Sequence, residues 1–179
     1  IEGGKPENSP FRLVPLASVK PGPRFVEPVV LGAFVEVFLA REGHGGLVGI
    51  NLLEKVQLST LPALFGAMLA GVACVLMGAG IPRAIPGALD RLALGEPAEL
   101  ATVVEGALPA EEFLSTFDPQ AFCGGVAPTL QRPKFFAIIS SATLAITLAR
   151  KSNGRVDGFI VEGDIRSMPG KTMARYRFW

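Results

Sequence analysis

Short apolar runs alternate with helix-like segments along most of the chain, and this alternation limits the possible folds more than any other feature. Four mainly apolar runs, at about 47–52, 72–77, 135–140 and 156–162, have the composition of strands buried on both faces. Segments typical of helices cover about 29–42, 60–70, 85–94 and 142–151. Strand–helix alternation of this kind produces right-handed βαβ units, so the predicted fold class is α/β with a parallel sheet.

Two arrangements of such a sheet are compatible with the pattern. One is part of a (β/α)8 barrel of TIM type, and the other is a small doubly wound, flavodoxin-like sheet. A whole barrel needs roughly 200 residues or more. Because the chain has 179 residues, the barrel would be incomplete, with about four βα units and an insertion. A phosphate loop after the first strand would favour the flavodoxin-like sheet, but residues 51–55 (NLLEK) contain no glycine. Shape alone leaves both possibilities open.

The chain divides into three predicted segments. Residues 1–28 are rich in proline and glycine, which indicates an irregular segment. Residues 29–163 form the partial barrel, interrupted at about 96–132 by an irregular insertion with one possible extra strand at 101–104. In a barrel we expect this insertion on the βα side, where insertions usually carry function. Residues 164–179 mix basic and aromatic side chains, and we interpret them as an unstructured tail rather than a nucleic-acid surface.

Composition excludes several classes of partner. Apolar residues make up 49% of the chain and charged residues 18%, and the net charge is +1, so we expect no nucleic-acid and no membrane partner. The longest apolar stretch, 61–79, contains glycine and proline and is better explained as buried core than as a membrane span. Cys74 and Cys123 lack metal-ligand spacing; Cys74 is predicted to be a small core residue. Without a predicted disulfide or secretory signal, the default location is the cytoplasm, and no metal site is predicted.

The candidate binding residues follow the strands, because α/β proteins bind ligands at the carboxyl ends of their strands. Small or hydrogen-bonding residues occupy all four predicted ends, which suits a flat polar ligand such as a cofactor ring with a phosphate tail. The alternative is that glycine and serine simply make the turns. These residues are Asn51, Gly78, Ala79, Gly80, Ser140, Glu162 and Gly163.

The only histidine, His44, lies in a glycine-rich segment that resembles a catalytic loop. It precedes a strand, however, and therefore belongs to the amino-terminal side of the sheet, which in barrels usually serves stability. We interpret it as a histidine at the end of a helix, where the helix dipole is negative.

Several segments together resemble the nitronate monooxygenase family, formerly called 2-nitropropane dioxygenases. They are residues 34–44 (FVEVFLAREGH), 48–55 (VGINLLEK), 66–72 (GAMLAGV), 75–82 (VLMGAGIP), 132–135 (RPKF), 139–141 (ISS), 153–158 (NGRVDG) and 161–163 (VEG). The resemblance implies an FMN-binding (β/α)8 barrel that oxidises alkyl nitronates, its small-molecule substrates, with dioxygen. It places Asn51 near the flavin, matches Gly78, Ala79 and Gly80 to a family turn, and assigns the strand entering Ser140 to the flavin floor.

The departures from this family are as informative as the matches. Nothing before Val30 resembles the family's first flavin loop, and its histidine turn is missing after Gly163, so no catalytic residue is assigned. The expectation is therefore a truncated chain, whose open barrel edges would promote self-association. Two alternatives stay open: an enoyl reductase-like flavoprotein of polyketide or polyunsaturated fatty-acid synthesis, and an inactive, partner-dependent fragment.

Overall fold

The computed structural model describes residues 8–10, 13, 15–108 and 110–162. Their elements, in chain order, are helix α1 (Pro23–Ala40), strand β1 (Gly49–Leu53), helix α2 (Thr60–Leu69), strand β2 (Cys74–Gly78), helix α3 (Ile85–Ala93), strands β3 (Ala98–Thr102) and β4 (Phe113–Phe117), helix α4 (Pro119–Phe122), strand β5 (Lys134–Ile139), helix α5 (Ala142–Lys151) and strand β6 (Gly158–Val161). The predicted tail at 164–179 lies outside the described residues.

Strands β1, β2, β5 and β6 form one parallel sheet in that spatial order. This confirms the α/β class and the four predicted strands. The order follows the chain without reversal, whereas a doubly wound sheet reverses its strand order at a switch point. Among the described strands, the sheet is therefore compatible with part of an α/β barrel.

The hydrophobic core lies on one face of this sheet. Side chains of α2, α3 and α5, including Phe65, Leu89 and Leu148, join Val75 and Phe135 of the strands in a single buried cluster. The other face carries the alternate residues of each strand and no member of that cluster. One face is thus closed by helices, while the opposite face stays partly exposed.

Helix α1 packs on α2 rather than on the sheet. Gly66 of α2 sits so close to the backbone carbonyl of Val30 that a side chain at this glycine would overlap with it. The helix begins at Pro23, six residues before its predicted start, so the prediction of an irregular 1–28 is wrong for its last part. Pro23 at the first helical position is favourable, and packing of Val26 against the core offsets the missing hydrogen-bond donor of Pro28 inside the helix.

The predicted insertion is more regular than expected. It contains the antiparallel pair β3–β4 and the short helix α4, whose amino end is capped by the Asp118 carboxylate. Phe117 of β4 packs against Phe65 of α2 with ring centroids 5.1 Å apart, which fixes the pair on the core. Sequence reasoning placed one possible strand here and missed its partner, because a strand with this little apolar alternation has only a weak signal.

No described helix is long and apolar enough to span a lipid bilayer.

Candidate functional site

The carboxyl ends of the four parallel strands lie along one edge of the sheet. Leu53 of β1 pairs with Gly78 of β2, and Ile139 of β5 pairs with Val161 of β6. The residues that follow are Glu54, Ala79, Ser140 and Glu162. Backbone bonds continue past the strands here: the Glu54 N–H donates to the Gly78 carbonyl at 2.9 Å, and the Glu162 N–H donates to the Ile139 carbonyl at 2.8 Å. We call this row the carboxyl edge.

Asn51 is not at the carboxyl edge. The first strand continues to Leu53, and Asn51 lies at its centre, in register with Leu76. Its side chain is exposed on the face of the sheet that the helices leave uncovered. The prediction that the first strand ends at Asn51 is therefore wrong, because the apolar pair Leu52–Leu53 extends the strand by two residues.

The turn after β2 is tight. Ala79 has φ 57°, the left-handed region that a residue with a side chain rarely adopts. A side chain at Gly80 would overlap with the Glu54 carboxylate, so this carboxylate covers the turn. Gly78 is buried, and a Cβ there would touch Ile138 of β5. The predicted site residues Gly78, Ala79 and Gly80 thus form one turn, which lies beneath the Glu54 carboxylate.

The remaining candidates lie on the β5–β6 side of the carboxyl edge. Ser140 and Glu162 are exposed. The neighbouring Ser141 caps α5, with its hydroxyl accepting the Leu144 N–H at 3.3 Å, which supports the alternative that the serines make the turn. Gly163 lies outside the described residues.

A cavity of about 250 Å³ opens between the β1 and β2 ends of the carboxyl edge and the tip of the β3–β4 pair. Its polar lining comes from Glu54, Gln57, Thr60 and Arg83. The Gln57 side-chain oxygen accepts the Val103 N–H at 2.9 Å and so ties the insertion to the loop after β1. The insertion connects α3 to β5, so it belongs to the αβ side of the sheet and the prediction of the βα side is wrong. Only its β3–β4 pair reaches the loops that follow β1 and β2. Sequence reasoning missed Gln57 and Arg83, since neither belongs to a motif and the hairpin that completes the cavity was not foreseen.

The face of the sheet opposite the helices lies below this edge; it is exposed at Asn51 and buried at Ile160. Cys74, predicted to be a core residue, is only half-buried on this face, because strand alternation turns Val75 toward the helices instead. Burial raises the pKa of its thiol, and the nearby Lys134 ammonium partly offsets that effect. Cys74 is therefore a poorly ionised thiol and not an activated nucleophile.

A charged cluster holds the opposite, amino-terminal edge together. Arg132 donates to Asp157 at 2.6 Å and to Asp90 at 2.7 Å, and Arg155 contacts Asp157 at 2.8 Å. The Asp157 carboxylate also accepts the Phe135 N–H at 2.9 Å. Burial by itself raises the pKa of Asp157, but the Phe135 N–H and the two guanidinium groups together lower it below its ordinary value. No local sequence pattern predicts this cluster, because its members come from distant parts of the chain.

His44 lies at the end of α1, as predicted. Its Nδ1 accepts the Gly46 N–H at 3.0 Å, so Nε2 carries the ring proton and donates to the Ala40 carbonyl at 2.6 Å. Both ring nitrogens are thus used to close the helix end.

The carboxyl edge fits part of a flavin site and not the whole. A flat ring could lie across the small residues that follow β2 and β5. The cavity, however, is below the roughly 300–1,000 Å³ of typical ligand pockets. Glu54 and Glu162 bring two carboxylates to a place where a phosphate group and a reduced flavin both require donors. The described residues therefore do not form a complete FMN site.

Comparison with known proteins identifies no relative of this chain. No family model, no curated protein and no solved structure matches this chain.

Proposed function

We propose that this chain contributes the β1–β2–β5–β6 side of an FMN-dependent oxidoreductase barrel of the nitronate monooxygenase type. The observation that supports this most directly is the winding of the sheet, with strands in chain order and all of α2, α3 and α5 on one face. This winding is compatible with part of a (β/α)8 barrel, in which the face of the sheet opposite the helices would become the inside of the barrel.

The acidic side chains at the carboxyl edge limit how well the described residues alone can bind FMN. Barrel enzymes carry their sites on the loops after the strands, and here these loops contribute one exposed turn at Ala79, the Gln57 and Arg83 side chains and two carboxylates. For an anionic cofactor, which needs donors, the described lining of the cavity offers Arg83 as its one cationic side chain, against the Glu54 carboxylate. Weak FMN binding is therefore what the described residues support, and tight binding requires further donors from outside them.

The first test is titration of the purified full chain with FMN, followed by flavin absorbance near ~450 nm and by quenching of flavin fluorescence. We expect weak binding, which the Glu54→Gln variant strengthens because a negative charge at the turn is removed. Glu36→Gln is the matched control, since Glu36 is an exposed carboxylate on α1, away from the sheet. A chain that neither quenches nor retains FMN in any of the three forms would contradict the proposal and favour an inactive fragment.

The second test separates two kinds of flavin chemistry. If the chain retains FMN, oxygen uptake with an alkyl nitronate supports the nitronate monooxygenase type. Oxidation of NAD(P)H with an α,β-unsaturated carbonyl substrate, without nitronate-dependent oxygen uptake, would instead identify an enoyl reductase.

A further inference from the structure

Helix α1 has a second apolar face that no described element covers. Its inner face, with Val30, Ala33 and Val37, is buried against α2. The outer face carries four large apolar side chains that are between 39% and 56% exposed: Leu31, Val35, Phe38 and Leu39. A helix that is apolar on both sides is expected to be buried on both sides.

The outer face also has a charge pattern along its length. Leu31, Val35 and Phe38 follow the spacing of four and three residues that aligns side chains on one helical face. The same spacing reaches Arg24 seven residues before Leu31, and Glu42, which lies in the turn just past the end of α1, seven residues after Val35. At a rise of 1.5 Å per residue, Ala40 at the end of α1 lies about 24 Å from Arg24 along the axis, and Glu42 follows just beyond it. We call the row from Arg24 to Glu42 the α1 outer stripe.

We propose that the α1 outer stripe binds the same stripe of a second copy of this chain, with the two helices antiparallel. A two-fold axis between Leu31 and Val35 would place Leu31 against the partner's Val35 and Arg24 against the partner's Glu42. A two-fold interface uses the same patch on both subunits, so each of these contacts occurs twice.

Charge favours a second copy in this orientation. Among the described residues, Lys20 just before the helix and Arg24 in its first turn make the amino end basic, with Glu27 as the acidic residue there, while Glu36 and Glu42 make the carboxyl end acidic. Arg41 does not neutralise that end of the outer stripe, because its guanidinium turns inward and donates to the Ala70 carbonyl at 2.6 Å. Antiparallel pairing brings opposite charges together, whereas parallel pairing brings like charges together.

The expected dimer is weak. Four half-exposed apolar side chains from each copy give less surface than the roughly 1,200–2,000 Å² buried in stable interfaces. Association should therefore depend on concentration. This inference does not depend on flavin binding, and it concerns a surface separate from the edges of the sheet.

The first test measures the mass of the full chain by sedimentation over a range of concentrations. We expect a reversible monomer–dimer equilibrium that Phe38→Asp shifts to monomer. Ile146→Asp is the matched control, because Ile146 lies on α5 and is 52% exposed, against 51% for Phe38. A monomer at every concentration would overturn the proposal, and so would a dimer that persists in the Phe38→Asp variant, since another surface would then be responsible.

The second test reverses charges at the ends of the stripe, where no core packing is disturbed. Arg24→Glu and Glu42→Arg should each weaken the dimer roughly tenfold, because each removes two attractive pairs. The double variant should regain wild-type affinity, and an equal mixture of the two single variants should form mixed dimers in preference to either homodimer. If the double variant associates no better than the single ones, the antiparallel arrangement is wrong.

Discussion

Replacing Asp157 with asparagine should destabilise the sheet through its amino-terminal edge. The carboxylate receives Arg132 at 2.6 Å, Arg155 at 2.8 Å and the Phe135 N–H at 2.9 Å, and only 8% of its side chain is exposed. Asparagine keeps the size of the side chain but removes its charge. It also turns an acceptor shared by three donors into a group with one acceptor and one NH₂ donor.

The size of the stability loss depends on which partners Arg132 retains in the Asp157→Asn variant. Removing one partner of a buried ion pair costs about 3–5 kcal/mol when the other charge is left alone. Arg132 is only 15% exposed, but it retains Asp90 at 2.7 Å and the carbonyl of Pro133 at 2.9 Å. Arg155 is 72% exposed, so its loss counts for little. We therefore expect the free energy of unfolding to fall by about 2 kcal/mol, below the range for an isolated charge.

The pH dependence provides an independent check. The pKa of Asp157 is lower in the folded than in the unfolded chain, so its ionised form stabilises the fold above the unfolded pKa of about 3.9. That stability is lost as the pH falls from there through the folded pKa. The difference between wild type and Asp157→Asn should accordingly be largest at neutral pH and shrink in acid.

Urea unfolding, monitored by circular dichroism at low protein concentration, measures both effects. With a slope of about 2 kcal/mol per molar urea, the midpoint should fall by about 1 M at neutral pH. Asp90→Asn should cost less, since Asp90 is 45% exposed, and Glu99→Gln serves as the control for an exposed carboxylate. An unchanged midpoint, or a difference that stays constant into acid, would refute the role assigned to Asp157.

Two further predictions concern backbone contacts. Gly66→Ala should destabilise the chain by about 2–3 kcal/mol, because the new methyl group meets the Val30 backbone, which cannot turn away as a side chain could. In the same unfolding assay, Gly32→Ala on the open side of α1 should raise stability by about 0.5–1 kcal/mol, and an equal effect at both glycines would contradict the helix contact. Ala79→Gly should raise the unfolding free energy by about 0.5–1 kcal/mol by relieving the left-handed backbone, and a loss of stability would show that the turn is not strained.

Local patterns in the sequence were sufficient to predict the parallel strands and most helices. Helix α5 occupies the predicted residues 142–151, because a capping serine marks its start and basic residues its last turn. The predicted start of α1 is too late because Pro23 and Pro28 disfavour a helix locally. The packing against α2 that stabilises the helix there involves residues distant in the sequence.

The candidate site divides in the same way. The turn at Gly78–Gly80 and the serines after β5 could be assigned to strand ends, because carboxyl ends of parallel strands meet at one edge. The Glu54 carboxylate over Gly80, the Gln57–Val103 bond and the Arg132–Asp157 pair join residues between 25 and 46 positions apart. No local pattern encodes such contacts.

The sequence by itself therefore determined the α/β class, the parallel sheet and the edge at which the residues after the strands meet, because these depend on periodicity and on turn-forming residues. Only the tertiary structure decided which face of the sheet the helices cover, that Asn51 lies within its strand and that no described element covers the α1 outer stripe. These features depend on which distant segments pack together, and packing is a property of the folded chain.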